Sequence, residues 1–259
     1  MLPSLTEIAN HYGTDKGTSG PSSRWDVHNY TDIYEAYLHP YRHEPIALLE
    51  IGLGVTGTRW KSHIVHGRNA GGGASPKTWY DYFSRARIFG IDVNACAYLD
   101  NDRIMTYVAD QGNPAELDAF MQAAGHPQFD VIIDDGSHWP DHQQISLGYF
   151  FKYLKPGGWY FVEDLLTNGL HDRAGQGGRR PARVVSTRAM LRSFLAGRGF
   201  AQPNALPDAA YLAEQIDWLR LQLPQPGRKW TISRDPRHPL KTITYYKPDS
   251  EALAVIRKK

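Results

Sequence analysis

Apolar runs alternate with amphipathic segments over the first two thirds of the chain, the pattern of a sheet with helices on its faces. Residues 46–53 are apolar apart from Glu50 and Gly52, which predicts a buried parallel strand. Further strands are predicted at 87–93, 104–110, 129–134 and 158–162. They run into Asp92, Asp110, Asp134-Asp135 and Glu163-Asp164. Between them lie helical signals. Ser75-Pro76 reads as an N-cap followed by proline at the first helical position. Trp79, Tyr82 and Phe83 then fall on one face. Residues 113–125 carry Pro114 near the start and Gly125 at the end. Residues 143–154 read as the next helix, stopped by Lys155-Pro-Gly-Gly158.

The last third is less regular. Residues 165–181 have little periodicity and read as a loop, with helices at 187–195 and 211–221. Residues 229–233 and 242–246 alternate in the manner of half-buried strands. A last strand, 252–257, is expected to pair antiparallel with one of these two. At the other end, residues 1–44 read as a helical lead-in or lid ahead of a domain over 45–259. Tyr30, Tyr34 and Tyr37 recur there at helical spacing, which favours packing over a cofactor lid.

Composition adds mainly exclusions. In 259 residues, 41% hydrophobic and 22% charged positions are ordinary for a globular chain, and a net charge of +2 gives no reason to expect nucleic acid. No apolar run nears the roughly 20 residues that span a bilayer, so no membrane partner is expected. The N-terminus lacks a basic region followed by an apolar one, so no secretory leader is read. A lone Cys96 excludes an internal disulfide and fits a reducing cytoplasm. It reads as a small packed residue rather than a nucleophile.

The most specific chemistry lies at 129–138, Phe-Asp-Val-Ile-Ile-Asp-Asp-Gly-Ser-His, together with Glu163-Asp164. Two apolar strands each end in an acid pair. Like charges repel, so such a cluster commonly holds a cation or a proton. It reads as a divalent metal site beside a general base. Acids at strand ends can also cap the following helix, and a His after Gly-Ser can serve packing alone.

A second group of features points to an adenosine ligand. Glu50-x-Gly52-x-Gly54 closes the first strand, and Gly71-Gly-Gly-Ala-Ser75 leads into a helix. Asp92 ends the second strand, where an acid is suited to ribose hydroxyls. Asp110-Gln111 ends the third, within reach of an adenine amino group. Each feature is weak alone, since a lone Gly-x-Gly also serves as a tight turn. The connection from first strand to first helix is far too long for a dinucleotide loop. Glu50 would repel phosphate but suit an ammonium or sulfonium charge, which favours S-adenosylmethionine (SAM) over NAD.

Leu49-Glu-Ile-Gly52, Gly72-Gly-Ala-Ser75, residues 88–92, residues 130–138, Lys155-Pro-Gly-Gly158 and Glu163-Asp164 resemble the class I SAM-dependent methyltransferases. More narrowly, they resemble the metal-dependent sugar O-methyltransferases of antibiotic biosynthesis, of the macrocin and mycinamicin type. Tyr12-Gly-Thr-Asp-Lys-Gly17 and His28-Asn-Tyr30 look like the lead-in of that group. The resemblance implies a Rossmann-like, seven-stranded α/β sheet with helices on both faces and an antiparallel C-terminal strand pair. It implies Asp135, Glu163 and Asp164 as Mg²⁺ ligands, Asp135 and His138 as catalytic, and His138 as the general base. It implies Glu50, Gly52, Gly54, Ser75, Asp92, Asp110, Gln111 and Asp134 around SAM. Residues 55–70 and Gly175-Gln-Gly-Gly-Arg-Arg180 follow no pattern of the family and would shape acceptor choice. Arg179-Arg180 gains meaning only if the acceptor carries a diphosphate.

The implied reaction is methyl transfer from SAM to a hydroxyl of a deoxysugar, free as a nucleotide sugar or attached to a natural product. A small-molecule acceptor and a homo-oligomer, dimer or tetramer, are the expected partners. Two other readings stay open: an NAD-dependent oxidoreductase on a related sheet, and a non-catalytic SAM-binding protein.

Overall fold

The computed structural model describes residues 2–20, 28–62, 65, 67–165, 184–222 and 252–259, with the backbone of 229–233 and 242–246. Segment 166–183, with Gly175–Arg180, lies outside the described residues. A seven-stranded sheet runs in the order β3 (Ile104–Val108), β2 (Arg87–Asp92), β1 (Ala47–Ile51), β4 (Phe129–Asp134), β5 (Leu154–Val162), β9 (Leu253–Lys258), β6 (Ile216–Gln222). The first five strands are parallel. Strand β9 lies antiparallel between β5 and β6. Strands β7 (Lys229–Ser233) and β8 (Thr242–Tyr246) pair with each other in a separate antiparallel ribbon.

Alternation within β1 shows why the sheet sits at the centre. Leu49 and Ile51 enter one core and Leu48 the other, and every residue of the strand is buried. One face is covered by α1 (Leu5–Tyr12), α2 (Thr31–Leu38) and α3 (Ala74–Tyr82), through Leu5, Tyr34 and Trp79. The other is covered by α4 (Pro114–Ala123), α5 (Pro140–Phe151), α6 (Thr187–Leu195) and α7 (Ala209–Gln215), through Phe120, Leu147, Met190 and Leu212. Strand order reverses between β1 and β4, each the starting edge of one half. The crevice above that point is where open α/β sheets bind ligands.

Four expectations need correction. Helix α3 begins at Ala74, with Gly73 as its N-cap at φ 66, so Ser75 is not the cap. A Cβ at Gly73 would lie 2.5 Å from Leu99, so glycine takes the turn and Pro76 sits inside the first turn. Lys155-Pro-Gly-Gly158 does not merely stop a helix: it lies inside β5, where the register against β4 shifts. Gly158 suits that irregularity, because a Cβ there would meet the Asp130 and Lys155 carbonyls at 2.9 Å. Residues 216–221 are strand, not helix; pairing with β9 outweighs their helical pattern. The last strand pairs with β5 and β6 rather than with 229–233 or 242–246. Ala254, Val255 and Ile256 are fully buried, and a strand apolar on both faces belongs inside a sheet.

The lead-in is built with local signals. Ser4 and Glu7 form a reciprocal capping box at the start of α1, and Gly13 ends the helix at φ 75. The chain then passes Lys16, whose carbonyl accepts from the Tyr30 and Thr31 amides at 2.8 and 3.1 Å. This fixes Lys16 against the start of α2. Among the described residues, no helix is long and apolar enough to cross a membrane.

Candidate active site

The tips of β1, β4 and β5 are tied by backbone bonds. The Asp135 amide donates to the Ile51 carbonyl and the Glu163 amide to the Asp134 carbonyl, both at 2.9 Å. Successive side chains at a strand end point to opposite sides. Asp134 turns inward. It is fully buried and accepts from Gln111 Nε2 at 3.0 and 3.2 Å and from the Ser146 hydroxyl. Burial pushes its carboxyl up to about 6, with Ser146 and Gln111 holding it back. Asp135 turns the other way, toward the cleft.

Lys16 meets it there. Its ammonium donates to Asp135 Oδ2, donates to Glu163 Oε1 at 2.9 Å, and lies 3.8 Å from Glu50 Oε1. Its side chain is 2% exposed. Burial disfavours its charge, but Asp135, Glu163 and Glu50 together raise its pKa well above the usual value. The Tyr34 hydroxyl adds a second donor to Glu163 Oε1 at 2.5 Å. Burial, then the Asp135 charge, raises Glu163, while Lys16 and Tyr34 pull it back. Burial raises Glu50 to about 7, with Lys16 the main restraint and the nearby Ser75 and Trp79 side chains also holding it back.

Asp164 is held from the same direction. Its Oδ1 accepts from the Tyr30 hydroxyl at 2.8 Å and lies 3.1 Å from His28 Nδ1. Its Oδ2 faces His138 Nε2 at 3.6 Å. Burial opposes ionisation, yet His28, His138 and Tyr30 hold Asp164 well below the usual carboxylate range. Burial lowers His28, but the Asp164 charge outweighs it and lifts the imidazole to about 10. His138 (φ 56) and Asp164 (φ 54) both adopt the left-handed region. Side chains rarely do so without cost, and such strain gathers at functional sites.

Asp135, His138 and Asp164 each offer a ligand atom within 4.8 Å of the others, and all three are partly exposed. The two carboxylates of this group suit a hard divalent cation, with the imidazole beside it. Glu163 borders this group through Lys16 but turns its carboxylate to Lys16 and Tyr34.

The glycine side is simpler. Gly52 has φ 83, and a Cβ there would lie 2.2 Å from the Asp135 carbonyl and 2.6 Å from Gly136 Cα. Gly54 also has positive φ, at 60°. The half-buried Asp92 accepts from the Leu53 amide on Oδ2 at 3.0 Å and from the Asn94 amide on Oδ1 at 2.8 Å. Asp110 accepts from the Gly112 amide and is likewise half-buried.

Other residues expected around the cofactor are buried and have partners within the protein. Gln111 is buried: its amide nitrogen serves Asp134 and Ser146, and its oxygen accepts from the Ser137 amide. Asp134 is buried behind it. Glu50 does meet a cation, but that cation is Lys16. Ser75 is buried in the first turn of α3. Cys96 is buried and its thiol is pushed up to about 11 by burial, in keeping with a packed residue.

Lys16, His28 and the hydroxyls of Tyr30 and Tyr34 were missed as site residues. The tyrosine rings do pack, as their spacing suggests: Tyr34 lies 4.7 Å from Phe161, ring centre to ring centre. The available signal was Lys16 and His28, polar residues within Tyr12-Gly-Thr-Asp-Lys-Gly17 and His28-Asn-Tyr30.

No protein-family profile matches the chain. Curated proteins do. The 8-demethyl-8-alpha-L-rhamnosyl tetracenomycin-C 2'-O-methyltransferase of Streptomyces olivaceus is 35% identical over 167 residues, 64% of this chain and 39% of that protein. Demethylmacrocin O-methyltransferase of Streptomyces fradiae is 34% identical over 166 residues, 64% of this chain and 37% of that protein. L-olivosyl-oleandolide 3-O-methyltransferase of Streptomyces antibioticus is 30% identical over 219 residues, 83% of this chain and 51% of that protein. The chain thus spans about half or less of the length of these relatives. Among solved structures, the MycE methyltransferase of the mycinamycin pathway, in complex with Mg and SAH, shares the fold. Its TM-score is 0.65 at 24% identity, covering all of this chain and 55% of that one.

Proposed function

The chain belongs by homology, over part of their length, with the sugar O-methyltransferases of the tetracenomycin, macrocin and mycinamicin type, and we propose that it transfers a methyl group from SAM to a hydroxyl of a deoxysugar with help from a divalent metal ion. The acceptor is a nucleotide sugar or a sugar already attached to a natural product. One observation carries the reading: Asp135, His138 and Asp164 converge at the tips of β4 and β5, beside the glycine-bearing tip of β1 and Asp92 at the tip of β2. The relatives' names supply the sugar, and MycE with Mg and SAH supplies the precedent for the metal and the cofactor product.

A sugar hydroxyl is a poor nucleophile at neutral pH. A divalent ion, once bound, supplies positive charge that lowers the hydroxyl pKa. Asp135 and Asp164 would hold it, with Glu163 at its border. His138 stands at the edge of the same cleft, 23% exposed, with Nε2 on the Asp164 side. In this reading it takes the hydroxyl proton as general base. Asp92, half-buried at the tip of β2, would accept from the ribose hydroxyls of SAM. Gly52 and Gly54 let the β1 tip approach the ligand without side chains in the way. Sulfonium and alkoxide neutralise each other during transfer, so positioning supplies much of the rate. The same geometry disfavours NAD, because some twenty residues separate Gly52 from α3 where a dinucleotide site needs a short turn.

The test is transfer of labelled methyl from SAM to a panel of TDP-deoxysugars and glycosylated macrolides and polyketides. Transfer that stops in EDTA and returns with Mg²⁺ or Mn²⁺ supports the proposal. Full transfer in EDTA removes the metal from it, and SAM binding without transfer to any acceptor favours the non-catalytic alternative.

A further inference from the structure

Asp135, Glu163 and Asp164, at the tips of β4 and β5, are each held by residues of the lead-in. Asp135 Oδ2 and Glu163 Oε1 share the Lys16 ammonium, Glu163 also takes Tyr34, and Asp164 Oδ1 takes Tyr30 and His28. In each case the lead-in donors engage a single oxygen. For Asp164 the other oxygen faces His138 and the cleft.

Lys16 is the centre of this arrangement. It is buried, and its backbone carbonyl is fastened to the first residues of α2. It also joins two strands: Asp135 follows β4 and Glu163 follows β5. Without it, the two adjacent carboxylates, one buried and one partly exposed, would repel each other and turn apart.

We propose that Lys16 is a positioning residue, an internal cation that clips Asp135 and Glu163 side by side so that the cleft-facing donors keep one geometry toward a divalent ion. The lead-in is then a fixed back wall of the site rather than a lid that opens over it. This rests on the metal-assisted reading above, but it assigns a role to a residue outside the acid motif. Groups that orient metal ligands from behind commonly change metal affinity by about 10–100-fold when removed.

The experiment uses Mn²⁺ as the probe, its free ion followed by electron paramagnetic resonance, with S-adenosylhomocysteine binding measured by calorimetry on the same samples. Lys16→Met is expected to weaken Mn²⁺ binding by about tenfold or more, while S-adenosylhomocysteine binding stays within about threefold of the unaltered protein. Tyr34→Phe, which keeps the ring and loses only the second donor to Glu163, shifts Mn²⁺ affinity in the same direction by less. Mn²⁺ binding in Lys16→Met as tight as in the unaltered protein, or tighter, overturns the proposal: Lys16 would then compete with the metal rather than prepare for it. Should Lys16→Met fail to fold, Tyr34→Phe decides, and an unchanged Mn²⁺ affinity counts against the clip. Failure of the unaltered protein to bind Mn²⁺ at all would remove the metal reading itself, and the clip with it.

Discussion

The two sides of the cleft are built differently. On the glycine side, contacts are local or follow sheet neighbours: Asp92 takes amides from Leu53 and Asn94, and Gly52 lies against the Asp135–Gly136 backbone. On the acid side, Asp135, Glu163 and Asp164 are held by Lys16, Tyr34, Tyr30 and His28, more than 100 residues away in sequence. One side depends on backbone shape, which a short motif encodes. The other depends on charge balance, which only the folded chain assembles.

That contrast can be broken at three places. The largest effect is expected from Asp135→Ala, which touches the acid side alone. Loss of metal-held charge stabilisation, several kcal/mol, lowers methyl transfer by about 10³-fold or more. S-adenosylhomocysteine affinity, read by calorimetry, should change little. An equal loss of both would show that the two sides are not separable. Next is Gly52→Ala, placed where the sides meet. A methyl there strikes backbone rather than a yielding side chain, at a φ that alanine resists. Overpacking of this kind costs about 1–3 kcal/mol, read from the urea midpoint, and both binding activities should suffer together.

The smallest effect concerns Glu50, which stands on the glycine strand but faces Lys16 of the acid side. Burial raises its pKa from 4.5 to about 7 in the folded protein. The folded state therefore binds the more protons between those values, and Glu50's contribution to stability falls as pH rises from about 4.5 through 7. Glu50→Gln should flatten the stability profile in that window. S-adenosylhomocysteine affinity should stay close to unchanged, since the side chain is fully buried. A large loss of that affinity would restore Glu50 as a direct cofactor contact.

The same contrast explains what the sequence revealed. The parallel strands, their order of appearance and the acids at their tips were legible, because β-branched runs ending at turn residues are local signals. The position of 252–257 was not. Its burial on both faces was visible, but the choice of β5 and β6 as neighbours is a long-range decision. Residues 216–221 failed for the same reason, a helical pattern overridden by strand pairing. At the site, Asp135, His138 and Asp164 stood out as chemistry-bearing residues and the fold brings them together. Gln111 and Asp134 stood out equally, yet they face each other inside the protein. Nothing local distinguishes a carboxylate that turns in from its neighbour that turns out, except the strand alternation that follows once the register is known. Lys16 stood inside a recognised lead-in motif, but its contact with two carboxylates more than 100 residues away was not legible, because a lysine in such a segment is ordinarily solvated.

The most direct measurement is a crystal structure grown with S-adenosylhomocysteine and Mn²⁺, with the ion located by its anomalous signal. The expected result is one Mn²⁺ peak at about 2.0–2.3 Å from oxygens of both Asp135 and Asp164, beside the bound nucleoside and with Lys16 still on Asp135 and Glu163. Bound S-adenosylhomocysteine with no Mn²⁺ between those two aspartates would contradict the account.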